Sequence, residues 1–312
     1  CVLQLVKNNR EALPLSDETN HFIIHFFGVS MKILILGRGK SGTTALLFKM
    51  AAGLPNCRAF SGGHPGKYAG DFENAVYKHT YSERKGKTFE VYEQHVGETQ
   101  YDRKVWIARD PRDIAVSRML FRWHKGTKGS WKQYRTHLEL VQKKEMDPKS
   151  IPFHVLCQYI GHGRWPMTIE EVVEDERLRY QRMSEFVKSL SRDWHMFKYE
   201  DMIQGNFADL NKYLGFEIRN EAEVPEATGK AKVARKKAFG DWRNWFTEED
   251  VEVFKSAYLP YMETVGYDCN DWVVSSQPNI EPEYSSLYMK RLVRDNTSNP
   301  IRKLAAKLLR TI

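Results

Sequence analysis

The sequence predicts an α/β fold built on a parallel sheet, and three observations carry that prediction. The run Ile33-Leu34-Ile35-Leu36 is continuously apolar rather than alternating, as in a strand covered on both faces. It ends at Gly37, and after a loop of small residues Thr43-Thr44-Ala45-Leu46-Leu47-Phe48 begins a helix. A further apolar strand, Lys104-Val105-Trp106-Ile107-Ala108, runs directly into Arg109-Asp110-Pro111-Arg112, where Pro111 suits the first turn of another helix. With 312 residues, 41% of them hydrophobic and 12% aromatic, the chain can fill the core of one large domain.

The loop between the first strand and its helix is the first candidate site. Gly39 and Gly42 let backbone approach a bound oxyanion, Lys40 adds a mobile cation, and the free N–H groups of the helix start favour negative charge. The pattern is not the Gly-x-x-x-x-Gly-Lys-Ser/Thr loop of nucleoside-triphosphate enzymes, because Leu34 stands where its first glycine belongs. A single anionic group fits this shorter loop better than a polyphosphate. At the end of the second strand, Arg109 and, two turns into the next helix, Ser117 form a fork and a hydroxyl able to hold a second phosphate. Surface ion pairing among Arg109, Asp110, Arg112 and Asp113 is the plainer alternative.

Along the rest of the chain, residues 54–56 and 61–66 read as loops, 71–81 as a short helix, and 88–92 as a strand ending in Glu93-Gln94-His95. Ionisable groups at the carboxyl end of such a strand are functional candidates. Residues 124–167 read as a substrate-facing insertion around a helix at 131–145, with His154, His162, Arg164 and Trp165 either lining a pocket or packing a loop. Thr168 with Glu171 predicts a capped helix running to about 191, followed by a strand at 195–199 and a short helix closed by Gly215. Basic Arg235-Lys236-Lys237 precedes Thr247-Glu248-Glu249-Asp250, a helix start whose Val251, Phe254, Tyr258 and Met262 recur at core spacing. From residue 271 the pattern loosens, ending at 300–312 in a basic amphipathic segment able to touch a membrane or, more simply, its own domain.

The formal charge of +8 suits anionic partners in general and chooses none of them. Cys1, Cys57, Cys157 and Cys269 are too dispersed for a zinc site or a disulfide framework, which points to a reducing, cytoplasmic setting without a bound metal. Residues 1–30 are expected to be an extension, with Met31 a candidate start. Their apolar stretch at 21–29 is interrupted by His25 and falls short of the ~20 residues that cross a bilayer.

Four separated segments together resemble sulfotransferases that use 3′-phosphoadenosine 5′-phosphosulfate. Gly39-Lys40-Ser41-Gly42-Thr43-Thr44 is similar to their 5′-phosphosulfate loop, and the segment from Arg109 through Ser117 to their 3′-phosphate motif. Tyr199-Glu200-Asp201 resembles the segment whose tyrosine lies against adenine, and residues 235–246 the late segment whose Arg-Lys pair returns to the 3′-phosphate. The resemblance spans about residues 31–268, within an expected domain of 31–270. It implies a P-loop-like sulfotransferase fold, three-layer α/β/α, and a donor site made by Arg38, Gly39, Lys40, Ser41, Gly42, Thr43, Thr44, Arg109, Ser117, Tyr199, Arg235 and Lys236. Three departures stand out: Ala45 replaces a tryptophan that cytosolic members place on the adenine, Lys237 replaces a glycine, and Arg243 a lysine.

What the resemblance implies chemically is in-line transfer of a sulfuryl group to a hydroxyl, with Lys40 on the departing phosphate and His95, or in the carbohydrate-type pattern Glu93, as general base. His95 is preferred. The expected partners are the nucleotide donor and a hydroxylated saccharide, lipid or small molecule rather than nucleic acid. Two other classes compete: a P-loop kinase using magnesium and ATP, and a non-catalytic nucleotide or polyanion binder.

Overall fold

The computed structural model describes residues 30–61, 73–81, 101–127, 130–160, 166–226 and 235–297. At its centre five parallel strands stand in the order β2-β3-β1-β4-β5, formed by β1 (Met31–Arg38), β2 (Cys57–Ser61), β3 (Asn74–Tyr81), β4 (Arg103–Ala108) and β5 (Trp194–Lys198). β1 is paired on both edges, with β3 from Met31↔Asn74 to Arg38↔Tyr81 and with β4 from Ile33↔Arg103 to Gly37↔Ile107. Because side chains alternate along a strand, Ile33 and Ile35 enter one core and Leu36 the other.

The first core is closed by α1 (Thr43–Gly53), α6 (Tyr199–Gln204) and α7 (Ala208–Leu214), whose Leu46, Leu47, Met50, Met202, Leu210 and Leu214 pack on Val76, Val105, Ile107 and Phe197. The second, larger core lies under α2 (Pro111–Phe121), α3 (Trp131–Met146), α4 (Phe153–Cys157), α5 (Ile169–Ser189), α8 (Trp242–Trp245), α9 (Glu248–Thr264) and α10 (Ser286–Thr297). Helices on both faces of a parallel sheet make the predicted three-layer α/β/α architecture.

Several ends form as their residues dictate. Thr168 and Glu171 make a reciprocal capping box at the start of α5, Thr247 and Asp250 another at α9, and Gly215 closes α7 at φ +81. Other expectations are corrected. The short helix at 71–81 is instead β3 over residues 74–81, where Val76 faces the first core and Tyr81 the second in strand alternation between β1 and β2. β2 was not foreseen, and Tyr199 opens α6 rather than ending β5. Nor is the stretch after 271 loose, since Tyr288, Met289, Leu292 and Val293 of α10 are buried in the second core. Residues 1–29, 88–92 and 300–312 lie outside the described residues.

Cys57, Cys157 and Cys269 are free thiols. Among the described residues no helix is long and apolar enough to cross a membrane.

Candidate functional site

The loop from β1 to α1 is built on two positive backbone angles, Lys40 at φ 80 and Gly42 at φ 87. Glycine is required at 42 twice over, because a Cβ there would also stand 2.5 Å from Cδ2 of Tyr199. Gly37 is equally constrained: a Cβ would meet Ile107 Cγ2 at 2.6 Å. The Ser41 N–H and hydroxyl both donate to the Arg38 carbonyl, at 3.1 and 2.7 Å, and so close the turn. α1 then starts without a capping side chain, an acidic residue in its first turn or a proline, which leaves its N-terminal donors and dipole to a ligand.

Four cations gather at this point. Lys40 Nζ lies 3.9 Å from the Phe121 ring centroid, and Lys78 Nζ donates to Thr44 Oγ1 at 2.9 Å. Burial, then repulsion from Arg109, Arg235 and Lys78, pushes the Lys40 pKa down to about 7. The charges that act on Lys40 are all positive, so its own surroundings favour an anion.

Arg109, at the end of β4 and 5% exposed, is the second centre. Its Nη1 donates to the Lys40 carbonyl at 3.0 Å and Nη2 to the Ala238 carbonyl at 3.3 Å, while the guanidinium lies 4.1 Å from the Tyr199 ring centroid. Its buried Nε has no hydrogen-bond partner among the described residues. Asp113, Ser117 and Phe121 share one face of α2 at four-residue spacing. The Asp113 carboxylate accepts the N–H groups of Gly240 and Trp242 at 2.7 and 3.0 Å and thereby fastens the late segment to the strand end. Burial raises its pKa to about 6, against the pull of Arg109. Arg235, bound to Asp241 at 2.8 Å, completes the cluster.

Thus Lys40, Gly42, Thr43, Thr44, Arg109, Tyr199 and Arg235 meet, with Ser117 buried on the adjoining face of α2. Gly39 adjoins them, the position of its Cβ 3.6 Å from Thr80 Cγ2. Two predicted residues turn elsewhere. The Arg38 guanidinium, on the face of Leu36, lies 4.4 Å from the Tyr180 ring centroid in a buried group with Glu176, Arg118 and Arg179, while Lys236 pairs with Glu281 at 2.6 Å. His154 is structural: its Nδ1 bonds Asp250 at 2.8 Å inside the second core. Glu93, His95, His162, Arg164 and Trp165 lie outside the described residues. Sequence reading missed Lys78, whose signal was the aromatic and β-branched strand carrying it, and Asp113, which resembled a surface ion-pair partner.

A sequence profile described as "Sulfotransferase domain" matches residues 102–266. Among solved structures, the chain is similar to mouse sulfotransferase SULT7A1 complexed with PAP, at 16% identity over 75% of this chain and 85% of that one, with a TM-score of 0.46. No curated protein matches the chain.

Proposed function

Because the chain belongs to the sulfotransferase-domain family, we propose that it transfers the sulfuryl group of 3′-phosphoadenosine 5′-phosphosulfate to a hydroxyl acceptor. The observation that carries this is the gathering of Lys40, Lys78, Arg109 and Arg235 around the open N-terminus of α1. Two anionic ends of one nucleotide suit it: the phosphosulfate at Lys40, Lys78, Gly42, Thr43 and Thr44, the 3′-phosphate at Arg109, Ser117 and Arg235.

In the reaction the acceptor oxygen bonds to sulfur as the bond from sulfur to the bridging oxygen of the 5′-phosphate breaks. The electron pair stays on that oxygen, giving adenosine 3′,5′-bisphosphate. Lys40, with Lys78 behind it, stabilises the charge that develops there, and loss of one such donor typically lowers the rate about 100- to 1,000-fold. His95, with Glu93 as the alternative, takes the proton of the hydroxyl, as the motif resemblance implies. The acceptor is a hydroxylated saccharide, lipid or small molecule, in a cytoplasmic setting where thiols such as Cys57 persist.

The kinase reading is kept apart by one measurement. Melting is followed with adenosine 3′,5′-bisphosphate plus chelator and, separately, with ATP plus magnesium, at equal concentration. A ligand at 100 times its Kd stabilises by about 2.7 kcal/mol. A rise with the bisphosphate alone is expected; a rise only with ATP and magnesium would overturn the sulfotransferase reading.

A further inference from the structure

Two rings adjoin Lys40 and Arg109, a third aromatic follows the residue whose carbonyl Arg109 bonds, and the three are not equally available to a ligand. Tyr199 is 7% exposed, with the Arg109 guanidinium on its face and Gly42 against its edge. Phe121 has Lys40 Nζ 3.9 Å from its centroid, and His124 stacks on it at 3.9 Å and 9°, so both faces are covered. The first turn of α1 offers only Thr43, Thr44 and Ala45. Phe239 is different. It is 40% exposed, although the residues on either side are pinned into the site: the Ala238 carbonyl accepts from Arg109, and the Gly240 N–H donates to Asp113. Gly240 at φ 74 turns the chain directly after it.

An exposed aromatic on a tethered segment, beside a group that can take the 3′-phosphate, is where the base of a nucleoside bisphosphate would be met. We propose that the adenine of the donor stacks on Phe239, which thereby supplies the face that Ala45 cannot and that Tyr199 has given to Arg109. This rests on the donor assigned above. Stacking on one ring reads the π-face of a base rather than its edge groups, so Phe239 adds affinity for the base without selecting which base it is.

Base stacking of this kind is worth about 1–3 kcal/mol, or about 5- to 150-fold in Kd. Calorimetric Kd values are measured for adenosine 3′,5′-bisphosphate and for 1-O-methylribose 3,5-bisphosphate, which keeps both phosphates and lacks the base. Phe239→Ala and Phe239→Leu should weaken the adenosine ligand by that factor and leave the baseless one within twofold, while Phe239→Trp retains both affinities. Phe239→Leu keeps the bulk should Phe239→Ala fold poorly. Unchanged adenosine affinity in Phe239→Leu, or an equal loss for both ligands, would overturn the stacking role with the donor reading intact. If the unaltered protein binds neither bisphosphate, the donor reading itself fails.

Discussion

Lys40 carries its charge where burial and three neighbouring cations oppose it, and this has two measurable results. Its folded pKa of about 7 lies below the ordinary 10.5. Between those values the unfolded chain holds a proton that the folded one does not, so this group makes stability rise with pH across the window and burdens the ligand-free fold below it. Lys40→Met should therefore raise the melting temperature at pH 7 by on the order of 2 °C, the gain fading toward pH 10.5, while the shift given by adenosine 3′,5′-bisphosphate shrinks and turnover falls about 100- to 1,000-fold. A variant that melts lower at pH 7 yet responds fully to the nucleotide would contradict this. Lys40, Arg109 and Tyr199 were legible in the sequence because each sits in a short contiguous motif. Arg38 misled for a physical reason: it precedes the loop in sequence, but as a strand residue it shares the face of Leu36 and enters the opposite core.

At the scale of elements, α4 and α9 are joined through one carboxylate. Asp250 accepts the N–H groups of Phe153 and His154 at 2.7 and 2.8 Å, the His154 ring at 2.8 Å and the Thr247 N–H at 2.8 Å. Asp250→Ala orphans all four donors in the second core and should lower stability by about 2–4 kcal/mol in urea denaturation, with nucleotide affinity nearly unchanged for the fraction that remains folded. A loss below about 1 kcal/mol would show that α4 is held by its apolar contacts alone. Strong capping boxes made α5 and α9 readable to within a few residues. β3 was not, because Asn74-Ala75-Val76-Tyr77-Lys78-His79-Thr80-Tyr81 has polar groups on both faces and becomes a strand through pairing with β1 and β2, which no local pattern reports. With β3 misread, Lys78 stayed hidden. α10 was missed because Tyr288, Met289, Leu292 and Val293 form a narrow stripe among charged residues.

Across the whole molecule, Glu176 of α5 ties two further helices and the central strand around one buried charge. It bonds Arg118 of α2 at 2.6 Å and Tyr258 of α9 at 3.4 Å, with Arg179 at 3.5 Å and Arg38 of β1 nearby. Burial alone would raise its pKa, but Arg118, Arg179 and Arg38 outweigh it and hold the group down to about 2. The stability it gives is present above pH 4.5 and is lost as pH falls toward 2. Glu176→Gln removes the carboxylate that the buried Arg118 bonds, so it should cost about 3 kcal/mol at pH 7, and its melting curve should converge on that of the unaltered protein near pH 2. Parallel offsets at all pH values would mean that lost packing, not charge, is responsible. Asp113 acts in the opposite sense, its contribution declining as pH rises from 3.8 through 6. The sheet also sets an order in time. Its pairs join distant segments, such as Ala108 with Lys198, and Asp113 reaches across to Gly240. In a chain emerging from the ribosome the four cations at the start of α1 cannot come together until residue 241 and the Arg235 it holds are free, which makes their cluster a late product of synthesis.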